Sequence, residues 1–142
     1  MWQQSAWKAV LSCDKIEKMQ SLNGPLVALV DDEQNIRELV SYALQQECYR
    51  VATYRDGEEA WTAFHQSLPD LVILDIIMPR MDGLELCRKI RRLSETLPMI
   101  FLTSMTESAA TVLGLELGAD EALFAPFSTR ELLARVKVLF RR

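Results

Sequence analysis

Leu26-Val-Ala-Leu-Val30 runs straight into Asp31-Asp32, and Leu71-Val-Ile-Leu74 runs straight into Asp75. Each stretch is short, wholly apolar, and stops on carboxylates. An apolar run of this length without alternation is the mark of a strand buried on both faces, as in a parallel sheet covered by helices. The segments around these two runs agree. Gln34 to Glu47 carries Ile36, Leu39, Val40 and Leu44 at helical spacing. Arg50 to Tyr54 reads as a second strand, and Asp56 to Ser67 as a helix with Ala60, Trp61 and Phe64 on one face. Leu84 to Leu93 is a helix, Met99 to Leu102 a strand, and Ser108 to Leu117 a helix closed by Gly118. Ala122 to Phe124 makes a short fifth strand, and Ser128 caps a last helix that runs to about Phe140. Strands and helices in strict alternation predict an α/β fold, (βα)5, with a doubly wound parallel five-stranded sheet.

Composition sets the outer bounds. The chain has 142 residues, 49% of them hydrophobic and 25% charged, which fits one globular domain. Its net charge of −4 argues against a dedicated nucleic-acid binder. No apolar run is long enough to span a membrane, and no secretory leader pattern opens the chain. The three cysteines, Cys13, Cys48 and Cys87, fit no metal spacing. Reduced thiols in a cytoplasmic protein are the expectation. Residues 1–25 stand outside the repeat and residues 26–142 form the expected domain. Ser21-Leu-Asn-Gly-Pro25 is a turn-rich linker. Ahead of it, Trp2, Ala6, Val10, Cys13 and Ile16 recur at helical spacing and could dock on the domain or a partner. The favoured reading is plainer: Met19 would serve as an ordinary start, and residues 1–18 are extra sequence without a role.

In parallel α/β sheets the reactive site lies at the carboxyl ends of the strands. Asp31, Asp32 and Asp75 sit at two such ends, so three carboxylates converge on one rim. Close carboxylates repel and do not all stay ionised without a cation. A hard cation with oxygen ligands, Mg²⁺, is the natural partner, with the carbonyl of Ile77 as a further donor. Such a site also makes a carboxylate phosphorylatable. The competing reading, that Asp31 and Asp32 merely cap the following helix, explains one aspartate but not three on two strands. Thr103 ends the fourth strand beside that rim. Its hydroxyl and the N–H of Ser104 could donate to a phosphoryl oxygen.

Val30-Asp-Asp-Glu33, Ile73-Leu-Asp-Ile-Ile-Met-Pro-Arg-Met-Asp-Gly83, Phe101-Leu-Thr-Ser104 and Gly118-Ala-Asp120 resemble the receiver (CheY-like) domain of two-component response regulators. The likeness covers residues 26–142. Pro126-Phe-Ser-Thr-Arg-Glu-Leu-Leu-Ala-Arg-Val-Lys137 resembles the OmpR/PhoB subclass and, within it, ChvI-type regulators. The resemblance implies a flavodoxin/CheY-like fold and a signalling module rather than an enzyme. It implies that Asp75 accepts a phosphoryl group from a sensor histidine kinase, while Asp31, Asp32, Asp75 and the Ile77 carbonyl hold Mg²⁺. Thr103 would move toward the phosphoryl group. Asp120, Glu121 and Arg135 would lie on the face of the fourth helix, fifth strand and fifth helix that pairs two receivers into a homodimer. DNA would be reached only through a C-terminal domain absent from this chain, which makes a fragment of a longer regulator the favoured reading over a stand-alone receiver.

Two positions depart from the family pattern. The family has Lys-Pro after the fifth strand; this chain has Ala125-Pro126, with the peptide still expected to be cis. The family has an aromatic three residues earlier; this chain has Ala122. Phe124, two residues on, could replace that aromatic, although a core or interface role is the stronger reading. Both changes fall on the parts that would read the phosphoryl group. Two functions follow. One is a phosphoacceptor with impaired switching. The other is a pseudo-receiver, a dimerisation or docking module independent of phosphorylation. Introduced substitutions at the two alanines are a third reading. Ile77 and Met105, apolar beside the site, predict slow self-dephosphorylation. Arg88, Lys89, Arg91 and Arg92 are read as a solvated helix face, Arg130 as pointing outward, and His65 as a surface or half-buried residue remote from the aspartates.

Overall fold

The computed structural model describes residues 24–103 and 108–142, the side chains of 108–111 excepted. The elements in chain order are β1 (Leu26–Val30), α1 (Gln34–Gln46), β2 (Arg50–Tyr54), α2 (Gly57–Phe64) and β3 (Leu71–Asp75). They continue with α3 (Gly83–Leu93), β4 (Met99–Thr103), α4 (Ser108–Leu117), β5 (Glu121–Phe124) and α5 (Thr129–Arg141). The strands form one parallel sheet in the order β2-β1-β3-β4-β5. The order reverses between β1 and β3, which opens a crevice at their carboxyl ends.

The apolar strands bury both faces because neighbouring side chains point to opposite sides. Val27, Leu29, Leu71 and Ile73 face α1 and α5 through Val40, Leu44, Leu132 and Val136. Ala28, Val30, Val72 and Leu74 face the other layer, where Ala60, Phe64, Leu86, Cys87 and Ile90 pack. All of these but Phe64 are fully buried, and Phe64 nearly so. At about 1.5–3 kcal/mol for each large apolar side chain, this double layer dominates the stability.

The helix boundaries shift by a few residues from the sequence reading, for local reasons. Asp56 is not the first residue of α2 but its cap, accepting the Glu59 N–H at 2.8 Å. Asp82 caps α3 in the same way at 2.9 Å, and Ser128 caps α5 as the sequence predicts. Gly118 follows α4 at φ +121°. The Ala125-Pro126 peptide is cis.

The basic run on α3 is not one solvated face. Arg88 and Arg92 are exposed, but Arg91 is largely buried. Its guanidinium donates to the carbonyls of Gly118, Ser94 and Leu97 and to the Asp120 carboxylate. Periodicity sees only a charge there, whereas the fold uses it to tie two loops to the end of α3. Lys89 lies 5.5 Å from the centre of the Trp61 ring, which packs half-buried against the core. His65 is exposed against Trp61, and Arg130 points outward. Cys87 is buried, which pushes its thiol up to about 11, and Cys48 is half-buried.

Candidate functional site

Register brings the carboxylates together. Val30 pairs with Leu74, so the next residues, Asp31 and Asp75, stand level at the ends of neighbouring strands. Asp75 in turn pairs with Leu102, one residue before Thr103. Gly83 opens α3 with its N–H on the Ile76 carbonyl at 2.7 Å. A Cβ there would overlap the Asp75 carbonyl oxygen, so only glycine lets α3 start this close to the acceptor strand.

Oxygen atoms of Asp31, Asp32 and Asp75 lie within 4.8 Å of one another. They line a cleft of about 290 Å³ together with Glu33, Ile36, Ile77, Leu102, Thr103, Ala125 and Phe127. Burial pushes the Asp31 carboxyl up to about 6, against a lowering hydrogen bond from the Glu33 N–H at 2.9 Å. Asp32 and Glu33 add to the rise and Arg37 opposes it. Burial and then the charges of Asp31 and Asp32 push Asp75 up to about 7, although it accepts the N–H groups of Ile77 and Ile76. The capping alternative fails, because Glu33 occupies the cap position of α1 and no side chain caps that helix. Three hard oxygen donors, two of them raised by burial and like charge, fit a Mg²⁺-sized cation and have no cationic side chain among the described residues that line the cleft.

Thr103 is buried beside this cleft, and its carbonyl accepts the Ala125 N–H at 2.7 Å. The Ile77 side chain is 58% exposed. Ser104 and Met105 lie outside the described residues, as do Trp2, Ala6, Val10, Cys13 and Ile16. On β5, Ala122 packs half-buried against the core, whereas Phe124 is 44% exposed and is not a core residue. Glu121 and Arg135 pair within the chain at 3.0 Å. Asp120 is also engaged within the chain, by Arg91 and Arg142 at 3.2 Å each and by the Met99 N–H at 2.9 Å.

Some working residues escaped the sequence reading. Arg37 Nη1 donates to the Asp31 carbonyl at 2.6 Å and braces the turn that carries the first two aspartates. Asp56 meets Arg80 at 3.0 Å. A signal for part of this was present: Asp56-Gly-Glu-Glu59 has capping-box spacing, and Glu59 reaches back to the Arg55 N–H. Arg37 and Arg80 gave none, since an arginine on a helix or in a loop reads as solvated.

Residues 27–137 match the family model of the response regulator receiver domain. The chain belongs to the response regulator receiver family. The receiver is 47% identical over 116 residues to the probable transcriptional regulator ycf27 of Guillardia theta, covering 82% of this chain and 45% of that protein. It is 44% identical over 116 residues to the alkaline phosphatase synthesis transcriptional regulatory protein PhoP of Bacillus subtilis (strain 168), covering 82% and 48%. Both relatives are OmpR/PhoB-type regulators, and the chain spans about half of their length. Among solved structures, a response regulator from Chloroflexus aurantiacus J-10-fl superposes with a TM-score of 0.80 at 34% identity, covering 84% of this chain and 100% of that one. The BeF3-activated DrrB receiver domain gives 0.77 at 34% identity, covering 84% and 99%. The receiver thus has the CheY-like fold of two-component signalling modules. Among the described residues, no helix is long and apolar enough to cross a membrane.

Proposed function

We propose that this receiver accepts a phosphoryl group on Asp75 from a sensor histidine kinase, with Mg²⁺ as cofactor, and that its switching is impaired. The convergence of Asp31, Asp32 and Asp75 within 4.8 Å carries this reading. Burial in a cleft open to solvent leaves Asp75 reachable, and the strand end fixes its direction. Asp75 attacks phosphorus in line, the bond to the histidine nitrogen breaks, and the leaving imidazole takes a proton. Asp31, Asp32, Asp75 and the Ile77 carbonyl would hold the ion, which when bound neutralises charge on the transferring oxygens. Thr103, with the Ser104 N–H, would bind a phosphoryl oxygen. Receivers of this kind are stoichiometric acceptors rather than turnover enzymes.

Ala125 supports the impaired half of the proposal. It lines the cleft with a methyl group where the family places an ammonium. Ala122 likewise offers no aromatic ring to follow Thr103. The output would be a homodimer through α4, β5 and α5, with Phe124 exposed on that face, and transcription would be regulated through a C-terminal DNA-binding domain. Ile77 offers no polar atom on its side chain to place hydrolytic water, which supports slow loss of the phosphoryl group.

A pseudo-receiver is the second reading, because Ala125 in the cleft and Ala122 on β5 offer no charge or ring to read a phosphoryl group. The deciding experiment incubates the protein with a small phosphodonor and MgCl₂, reads intact mass and follows light scattering. Gain of one phosphoryl group, absent in Asp75→Asn, supports the acceptor. No gain from a protein that is already dimeric favours the pseudo-receiver.

A further inference from the structure

The segment between β3 and α3 carries Ile77, the residue whose carbonyl completes the cation site in the reading above. Its path is unusual. Met78 and Met81 are buried, while Arg80 between them sits at φ +68°, a left-handed conformation that a side chain with a Cβ adopts at a penalty. Something outside the segment must hold it there.

The Arg80 guanidinium lies 3.0 Å from the Asp56 carboxylate, which is almost wholly buried. That carboxylate is itself fixed, because its other oxygen accepts the Glu59 N–H and caps α2. The contact is close along its length: a Cβ on Gly57 would overlap the Met81 carbonyl oxygen. Thus the first turn of α2 and the β3–α3 segment are docked against each other, with one ion pair whose acidic end is dry. The segment is also anchored by the buried Met78 and Met81, by the Gly83 N–H on the Ile76 carbonyl and by the Ile76 and Ile77 N–H groups on the Asp75 carboxylate, at positions other than the left-handed residue Arg80.

We propose that the Arg80–Asp56 pair is a positioning device for the cation site: it holds the β3–α3 segment in the path that presents the Ile77 carbonyl beside Asp75. Arg80 touches neither the cation nor the phosphoryl group, so its effect passes through the backbone. The inference rests on the proposed Mg²⁺ site.

The test uses MgCl₂ alone, titrated calorimetrically and by amide shifts at Ile76 and Ile77, on wild type, Arg80→Gly, Arg80→Ala and Arg80→Lys. Glycine removes the pair without left-handed strain and so keeps the fold, and alanine removes the pair with a Cβ retained, so the two together separate the ion pair from the strain. Arg80→Gly and Arg80→Ala are expected to weaken Mg²⁺ about tenfold, at the lower end of what outer-shell partners of metal ligands contribute. Arg80→Lys should recover most of that loss. Without metal, hydrogen exchange at Ile77 and Met78 should rise in Arg80→Gly. Wild-type Mg²⁺ affinity in Arg80→Gly, within twofold and with unchanged exchange, would overturn the proposal. Failure of the wild type itself to bind Mg²⁺ would instead overturn the reading beneath it.

Discussion

The rim of the sheet has two halves that differ in what they cost the fold. At the ends of β1 and β3, burial and like charge raise Asp31 to about 6 and Asp75 to about 7. Holding those groups ionised near neutrality destabilises the folded chain. Within β5 and just past its end, the side chains of Ala122 and Ala125 bring neither charge nor a polar atom. A costly arrangement persists when a ligand offsets it, whereas an alanine needs no such compensation. On the proposed function, the contrast would separate acceptance from read-out: the first half would take the cation and the phosphoryl group, and the second would lack the groups that report on them.

Removing the acceptor should break the costly half most completely. Asp75→Asn is expected to abolish phosphoryl uptake by intact mass while raising the melting temperature without metal, since one of three repelling charges is gone. Ala125→Lys would erase the contrast from the other side. Its ammonium should relieve the repulsion and raise metal-free stability by about 1–2 kcal/mol, a few degrees of melting temperature. Phosphodonor should then produce a larger rise in scattering mass than in the parent chain.

The pH response sharpens the comparison. Both raised aspartates bind protons in the folded state that they lose at about 3.8 when unfolded. Between about pH 4 and 7 the folded chain therefore holds more protons, and stability falls as pH rises. Metal-free melting should improve by several degrees from pH 8 to pH 5, and saturating MgCl₂ should flatten or reverse that trend because protons compete with the ion. A melting temperature that climbs with pH in the metal-free protein would contradict the electrostatic account. The smallest effect belongs to the cheap half. Ala122→Tyr should change stability by no more than about 1 kcal/mol, because the residue is half-buried at the edge of the core.

The fold was legible because its two central strands are apolar runs that stop on carboxylates, so Leu26–Val30 and Leu71–Asp75 announce a doubly covered sheet. The three aspartates were legible for the same reason, since strand ends share a rim. Arg91 was not, because a single arginine on a helix looks alike whether it meets water or three carbonyls. Arg80 was hidden more deeply: its role depends on a backbone angle and on Asp56, which is distant in sequence. The exposure of Phe124 was equally out of reach, because alternation says which face of β5 it occupies but not how much of that face is covered.

The pairing of Val30 with Leu74 has a consequence beyond chemistry. A slip of one residue between β1 and β3 would send Asp75 to the opposite side of the sheet and scatter the three carboxylates. Affinity for a divalent ion, as proposed, would thus gauge assembly fidelity: chains whose central strands have annealed out of step would be blind to the ion, and the ion would draw the population toward those that have not.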